Sequence, residues 1–309
     1  MLVYVYDIII TSRSGQAISN LIAKLNAKFP LKNLGKLHHF LGLEVQPASN
    51  GGLQLSQTKY ISNLLTKTNM SNARPIKTMF APSTKLLAIG TDQAQDPQLY
   101  RFVIGALQIL RYLNGTIDYC LHFNKTNDLN ISAFCDSDWA FYPNDLRSTS
   151  GYYVHLGNNI VSWTTQKQKV VSKFSTEAEF RSLSTVASEI AYIQKVLFKL
   201  QIPITRVPQI WCDNQGVVLL YANPVLHRKN KHFELDLWYI REKVARGELI
   251  VKHVLAHFQV ADLLTKAPSS SAFLELRPKL NVKQKSTLSL QGDNKEKDQN
   301  HNSVRILGT

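Results

Sequence analysis

The chain has 309 residues, enough for about two domains of ordinary size, with 44% hydrophobic residues and 36 Lys and Arg against 22 Asp and Glu. The formal charge of +14 suits a polyanionic partner, whose phosphates release counterions when basic side chains bind; a merely soluble basic surface is the alternative. Cys120, Cys135 and Cys212 are too few and too scattered for a disulfide framework or a zinc motif, so a reducing intracellular setting, cytoplasm or nucleus, is expected.

Residues 1–12 read as an apolar strand with Asp7 inside it, lacking the basic leader of a signal peptide. Ile18, Leu21, Ile22, Leu25 and Phe29 recur at helical spacing and predict a helix over 16–29, ending at Pro30. A strand over 37–45 leads through the turn Asn50-Gly51-Gly52 to a short strand and a helix containing Ile61, Leu64 and Leu65. A connector at 73–82 and a helix at 97–113 close this region, and the polar stretch 124–130 is the expected domain boundary. Beyond it, strands are predicted near 131–137, 150–156 and 159–164, then a long helix over 175–200 and a strand over 209–212. A helix after Asn214, another near 233–246, a strand at 249–255 and a final helix from about 258 complete an α/β layered domain with a mixed sheet over 131–282. Residues 283–309, polar and charged, are expected to be a disordered tail. No run approaches about 18 uninterrupted apolar residues, so no membrane span is expected.

Hydrolysis of a phosphodiester with two metal ions requires carboxylates converging on one point, because hard cations prefer oxygen ligands. Asp136 ends an apolar strand, and Asp138 shares its face if the strand continues; either fits on pattern alone. In the long helix, Leu183, Val186, Ile190, Ile193, Leu197 and Leu200 form the buried stripe. Glu179 extends that stripe by one turn, whereas Glu177 is about 200° away and is expected to face outward. A capping box from Thr176 to Glu179 would also explain Glu179 without catalysis. Asp213 follows a strand and precedes a helix, which suits a site at a strand's carboxyl end or a helix N-cap. Asp262 interrupts Val260-Ala261 and Leu263-Leu264, costly for a buried acid unless a metal or partner compensates it; a single exposed position is the alternative.

Three segments, Cys135-Asp136-Ser137-Asp138-Trp139-Ala140, Arg147-Ser148-Thr149-Ser150-Gly151-Tyr152 and Ser175-Thr176-Glu177-Ala178-Glu179-Phe180, resemble the ribonuclease H domain of copia-type retrotransposons. So do Cys212-Asp213-Asn214, Asn223-Pro224-Val225 and Ala261-Asp262-Leu263-Leu264-Thr265-Lys266, all in family order across roughly 131–282. The resemblance implies a ribonuclease H-like mixed sheet with helices on both faces. It also implies Asp136, Glu179, Asp213 and Asp262 as the acids that hold two Mg²⁺ ions, with Mn²⁺ as a substitute and Asp136 bridging. Ser137, Leu146, Phe180 and Trp238-Tyr239 depart from the usual family residues without removing a carboxylate.

Residues 1–123 resemble the C-terminal part of the same family's reverse transcriptase through Tyr4-Val5-Tyr6-Asp7, Leu31-Lys32-Asn33-Leu34-Gly35 and Phe40-Leu41-Gly42-Leu43-Glu44-Val45. An α+β remnant of a palm and thumb region is therefore expected. Tyr6 stands where the family has a metal-binding Asp, so the polymerase motif Tyr6-Asp7 is degenerate, and no DNA synthesis is expected. The activity implied is cleavage of the RNA strand of an RNA–DNA hybrid; the alternatives are a non-catalytic remnant that binds nucleic acid through its charge, or an interaction protein. Phosphate contacts are expected from His227, Arg228, Lys229, Lys231 and His232, with Lys167, Lys169 and Lys173 as a weaker set. His257 is expected to be a partly buried histidine at a strand end, with proton transfer or product release as the less favoured role.

Overall fold

A computed structural model describes residues 1–4, 7–12, 14–48, 50–78, 97–141, 145–222, 234–285 and 303–307. In chain order the first region contains β1 (Leu2–Tyr4), β2 (Asp7–Thr11), α1 (Gly15–Asn26), β3 (Lys32–Lys36), β4 (His39–Phe40), β5 (Leu43–Pro47), β6 (Leu53–Ser56), α2 (Thr58–Lys67), α3 (Pro97–Gly115) and β7 (Tyr119–Phe123). The second contains β8 (Ile131–Asp138), β9 (Thr149–Leu156), β10 (Asn159–Lys167), α4 (Ser175–Lys199), β11 (Gln209–Cys212), α5 (Gln215–Ala222), α6 (Glu234–Ala245), β12 (Ile250–His253), α7 (Asp262–Thr265), α8 (Ser270–Leu276), β13 (Val282–Gln284) and β14 (Ser303–Leu307).

The single strand expected over 1–12 is a hairpin: β1 and β2 pair antiparallel, Leu2 opposite Ile9 and Tyr4 opposite Asp7. Ser14 caps α1 by accepting from the Ala17 amide, and α1 lays Ile18 against Ile10 of β2. The strand expected at 37–45 is broken by Leu41 and Gly42, whose positive φ values of 50° and 78° make the tight turn between β4 and β5.

The tail expected to be disordered contains two strands among its described residues. β13 pairs with β7, and β14 runs parallel between β2 and β3. Ser303-Val304-Arg305-Ile306-Leu307 is the most apolar, β-branched run of an otherwise polar tail, and it satisfies backbone groups along both flanking strands. The open apolar edge that a stranded hairpin would leave is thereby covered on the β2 side.

The second region carries the mixed α/β sheet in the order β10-β9-β8-β11-β12. β8, β9 and β10 are mutually antiparallel, while β11 runs parallel to β8 and β12 parallel to β11. Alternation along the strands makes two cores. On one face Ala133, Cys135, Tyr152 and Val154 meet Phe180, Leu183, Val186 and Ile190 of α4. On the other, Phe134, Tyr153 and Ile160 meet Val260, Ala261 and Leu280. This is the ribonuclease H-like arrangement, covered on both faces.

The final helix expected from about 258 is instead a 3₁₀ turn (Ala256–Phe258), the single turn α7, and then α8. A continuous helix would carry Asp262 along one straight axis; the break lets its one turn sit against the edge of the site. Beyond it Phe273 packs edge-on to Tyr112 and Arg277 lies 4.1 Å from the Tyr119 ring centroid, so the end of the second region folds back onto the first.

Candidate active site and its relatives

The ends of β8 and β11 lie side by side because the two strands run parallel, Trp211 opposite Phe134. That pairing brings Asp136, two residues before the end of β8, and Asp213, just past the end of β11, to one end of the sheet. The carboxylates of Asp136, Asp213 and Asp262 approach within 4.8 Å of one another, as do Glu179, Cys212 and Asp213. Asp213 is common to both groups, whereas Asp136, for which the bridging role was expected, belongs to one of them.

Each acid is placed by local chemistry. α4 is tied to β8 by the Ser182 hydroxyl, which donates to the Asp136 carbonyl at 2.9 Å. Glu179, one turn from the helix start, accepts from the Ser137 amide at 3.3 Å. The capping-box alternative is not realised: Thr176 lies inside the helix, and it is Glu177 that reaches back, accepting from the Lys173 amide at 2.8 Å. Glu177 does not face outward as expected; it is buried and paired with Arg181 at 2.9 Å. Helical rotation separates the two glutamates as predicted, but the segment before α4 covers the second face as well. At α5 the capping residue is Asn214, whose side chain accepts from the Val217 amide at 3.2 Å, so Asp213 has no capping duty.

Asp262 opens α7, and Thr265 and Lys266 follow on the same turn. The Thr265 hydroxyl donates to Asp136 Oδ2. The Lys266 ammonium lies 2.6 Å from Asp262 Oδ1 and 3.3 Å from Asp136 Oδ1. Gly151 makes this closeness possible. It pairs with Asp136 across β8 and β9, and a Cβ there would stand 2.7 Å from Leu264 Cβ and 2.8 Å from Thr265 Cγ2. Below the acids, Gln168 donates to Ser150 and to the Ala178 carbonyl, and Gln259 donates to the Cys135 carbonyl at 2.9 Å.

The electrostatics follow from crowding. Burial first, then Cys212, Asp136 and Asp213, push the Glu179 carboxyl well above the usual range, opposed by the Ser137 amide. Burial and Asp136 raise Asp213, against the charge of Lys266 and a hydrogen bond from Gln259. Asp262 is pushed up to about 6 by burial and by Asp136 and Asp213, with Lys266 opposing. Burial works against the Lys266 ammonium, but Asp136, Asp262 and Asp213 outweigh it and hold its pKa above the ordinary lysine value. Carboxylates this close disfavour one another's charge, and divalent ions with oxygen ligands relieve that repulsion, so the donor set fits hard cations.

Asp138 pairs across β9 with Thr149 and is outside both groups. Lys167, Lys169 and Lys173 are exposed around the approach to α4, and Lys167 contacts Asp145 at 2.6 Å. His257 is exposed on the 3₁₀ turn, its ring 3.8 Å from that of Phe258, rather than partly buried, because the strand ends at His253, before it. Tyr6, His227, Arg228, Lys229, Lys231 and His232 lie outside the described residues. Asp7 starts β2. Thr265 and Lys266 were not among the expected site residues, although the four-residue spacing from Asp262 to Lys266 is a helical ion-pair signal.

A family model for reverse transcriptase (RNA-dependent DNA polymerase) matches residues 1–82. The retrovirus-related Pol polyprotein from transposon RE1 of Arabidopsis thaliana is 40% identical, over 91% of this chain and 21% of that polyprotein. The chain thus spans about a fifth of this relative's length. An uncharacterized mitochondrial protein of Arabidopsis thaliana is 35% identical, over 62% of this chain and 93% of that protein. Among solved structures, LC11-RNase H1 isolated from compost is 15% identical, with a TM-score of 0.36 over 44% of this chain and 93% of that one. That score is low, and the fold assignment stands on the strand order and pairing alone. Motif order, the polymerase-family match and the two Arabidopsis relatives agree: the chain belongs to the copia-type retrotransposon Pol family.

Proposed function

We propose that residues 131–282 form a metal-dependent ribonuclease H that cleaves the RNA strand of RNA–DNA hybrids, in a Pol fragment whose polymerase is inactive. The observation that carries the reading is the approach of Asp136, Asp213 and Asp262 to within 4.8 Å of one another, with Asp213 shared by the group containing Glu179. Four acids from a strand end, a helix start, a second strand end and a one-turn helix serve no common packing purpose; holding hard cations accounts for all of them. Divalent ions at such a site supply Lewis-acid stabilisation of the charge that develops on the phosphate. The chain's own part is to fix the ligands: Thr265 orients Asp136, the Ser137 amide holds Glu179, and Gln259 supports Asp213. Hybrid binding would rest on backbone and shape, with basic side chains near 227–232 and 167–173 meeting phosphates. The loss of polymerase activity rests on Tyr6, a phenol that cannot replace a carboxylate ligand.

The test is cleavage of an end-labelled RNA–DNA hybrid by the purified full chain with Mg²⁺ or Mn²⁺, beside the Asp213→Asn variant. Cutting of the RNA strand that disappears in the variant is the expected result. A folded protein that binds the hybrid yet cuts with neither ion would leave the non-catalytic remnant as the correct reading.

A further inference from the structure

Asp136 has two carboxylate oxygens, and they have different partners. Oδ2 accepts from the Thr265 hydroxyl, which leaves Oδ1 as the oxygen open to a cation. That oxygen faces Lys266 Nζ at 3.3 Å, and the same ammonium reaches Asp262 Oδ1 at 2.6 Å. One positive head group therefore spans two of the three acids that come together here. Lys266 is held in that position by its place at the end of α7, four residues from Asp262 and next to Thr265. Its side chain is 40% exposed, against 2% for Asp136, so the flexible stem has a route to solvent that needs no movement of the helix.

Building on the hydrolase reading above, we propose that Lys266 is the resident counter-ion of the acidic cluster: its ammonium occupies the place between Asp136 and Asp262 that a divalent cation takes, and cation loading expels it. Two like charges cannot share the gap between two carboxylates, so binding a divalent ion and keeping the Lys266 contacts are mutually exclusive. The device has two consequences. Before loading, the acids are held together by a cation the chain carries itself, so the ligand set is assembled in advance. After loading, a positive charge is set free at the rim of the site, where the phosphate backbone of a nucleic acid would arrive.

Two measurements on the full chain test this without reading cleavage. The first is the rate at which Lys266 is acylated by acetic anhydride, mapped by mass spectrometry against the other lysines, with and without Mn²⁺. Release of the ammonium should raise Lys266 labelling several-fold while exposed lysines such as Lys169 stay constant. The second is Mn²⁺ binding by calorimetry to the wild type and to Lys266→Met, which should bind at least about ten-fold more tightly once the competing charge is gone. If the wild type binds Mn²⁺ while Lys266 labelling is unchanged and Lys266→Met binds no tighter, the counter-ion role is wrong and the cation site stands. If neither protein binds Mn²⁺, both this proposal and the hydrolase reading fall. The labelling arm uses the unaltered chain, so it decides the matter even if the variant folds poorly.

Discussion

The sheet that holds β2 and the sheet that holds β8 differ in what supports them. Around β8, β9 and β11 the side chains of Phe180, Leu183, Val186, Ile190, Ile210 and Ile240 are almost wholly removed from water. Around β2, among the described residues, the buried pair is Ile10 and Ile18, with Ile8, Leu21, Ile22, Leu25 and Leu31 only partly covered. Acids that must hold a geometry within a fraction of an ångström need neighbours that cannot move, and the second sheet supplies them. Asp136, Asp213 and Glu179 each adjoin that dense core through Cys135, Cys212 and Phe180. Among the described residues, Asp7 lies on a hairpin backed by α1. The acid cluster therefore belongs to the more densely packed of the two regions.

The largest expected effect tests whether the second sheet's acids do chemistry at all. Asp213→Asn should lower hybrid cleavage by roughly a hundred-fold or more, because it removes a carboxylate that both acid groups share. The fold should survive, since burial and Asp136 already disfavour the Asp213 charge. A melting temperature close to wild type together with lost cleavage is the expected pair of results; collapse of the fold would mean that Asp213 is structural.

The next comparison sets one core against the other. Leu183→Ala, at a fully buried position in α4, should cost about 3–5 kcal/mol of stability. Ile10→Ala, beneath a smaller cluster able to relax into the gap, should cost about 2 kcal/mol, at the low end for such changes. Chemical denaturation of each variant measures both, and equal costs would erase the contrast drawn between the sheets. Gly151→Ala is gentler but aimed at the site: the added methyl would displace Leu264 and Thr265, and with them α7. Overpacking should cost about 1–3 kcal/mol. A shift of about 1 Å in the α7 ligands should lower cleavage by up to roughly a hundred-fold. Stability lost without any change in cleavage would show that α7 adjusts independently of Asp136.

How far the sequence revealed this can be judged residue by residue. The helical stripe of α4 was enough to single out Glu179, because a 3.6-residue period fixes which side chains share a face. It misplaced Glu177, because what covers the opposite face is the extended segment before α4, which has no period to read. The strand-to-helix position of Asp213 was legible, but the choice between ligand and cap depended on Asn214, a neighbour equally suited to capping. The last helix was misjudged because the apolar pairs on either side of Asp262, Val260-Ala261 and Leu263-Leu264, suggest more helix than the single turn its hydrogen bonds close. β14 was invisible for a different reason: Ser303–Leu307, with three apolar residues in a polar tail, becomes a strand only when β2 and β3 offer a slot, which is tertiary information.

The smallest expected effect separates the two faces of the second sheet. His155 lies on β9 opposite Ser132 and Ile160, its ring edge-on to Phe134 at 6.0 Å, far from the acids on the other end of the strand. Burial holds its pKa below the ordinary value of 6.5, and its Nδ1 has no hydrogen-bond partner among the described residues. The native state therefore takes up a proton less readily than the unfolded chain. Its contribution to stability is complete above pH 6.5 and is lost as pH falls through the lowered native value. His155→Phe keeps a ring of similar size and removes the titration, so its melting temperature should fall less steeply than that of the wild type between pH 7 and 5. The gap between the two curves should widen as pH falls below 6.5. Parallel curves for the two proteins would mean that His155 is protonated as easily in the fold as out of it. The second face of the sheet would then be wetter than its contacts with Phe134 and Ile160 imply.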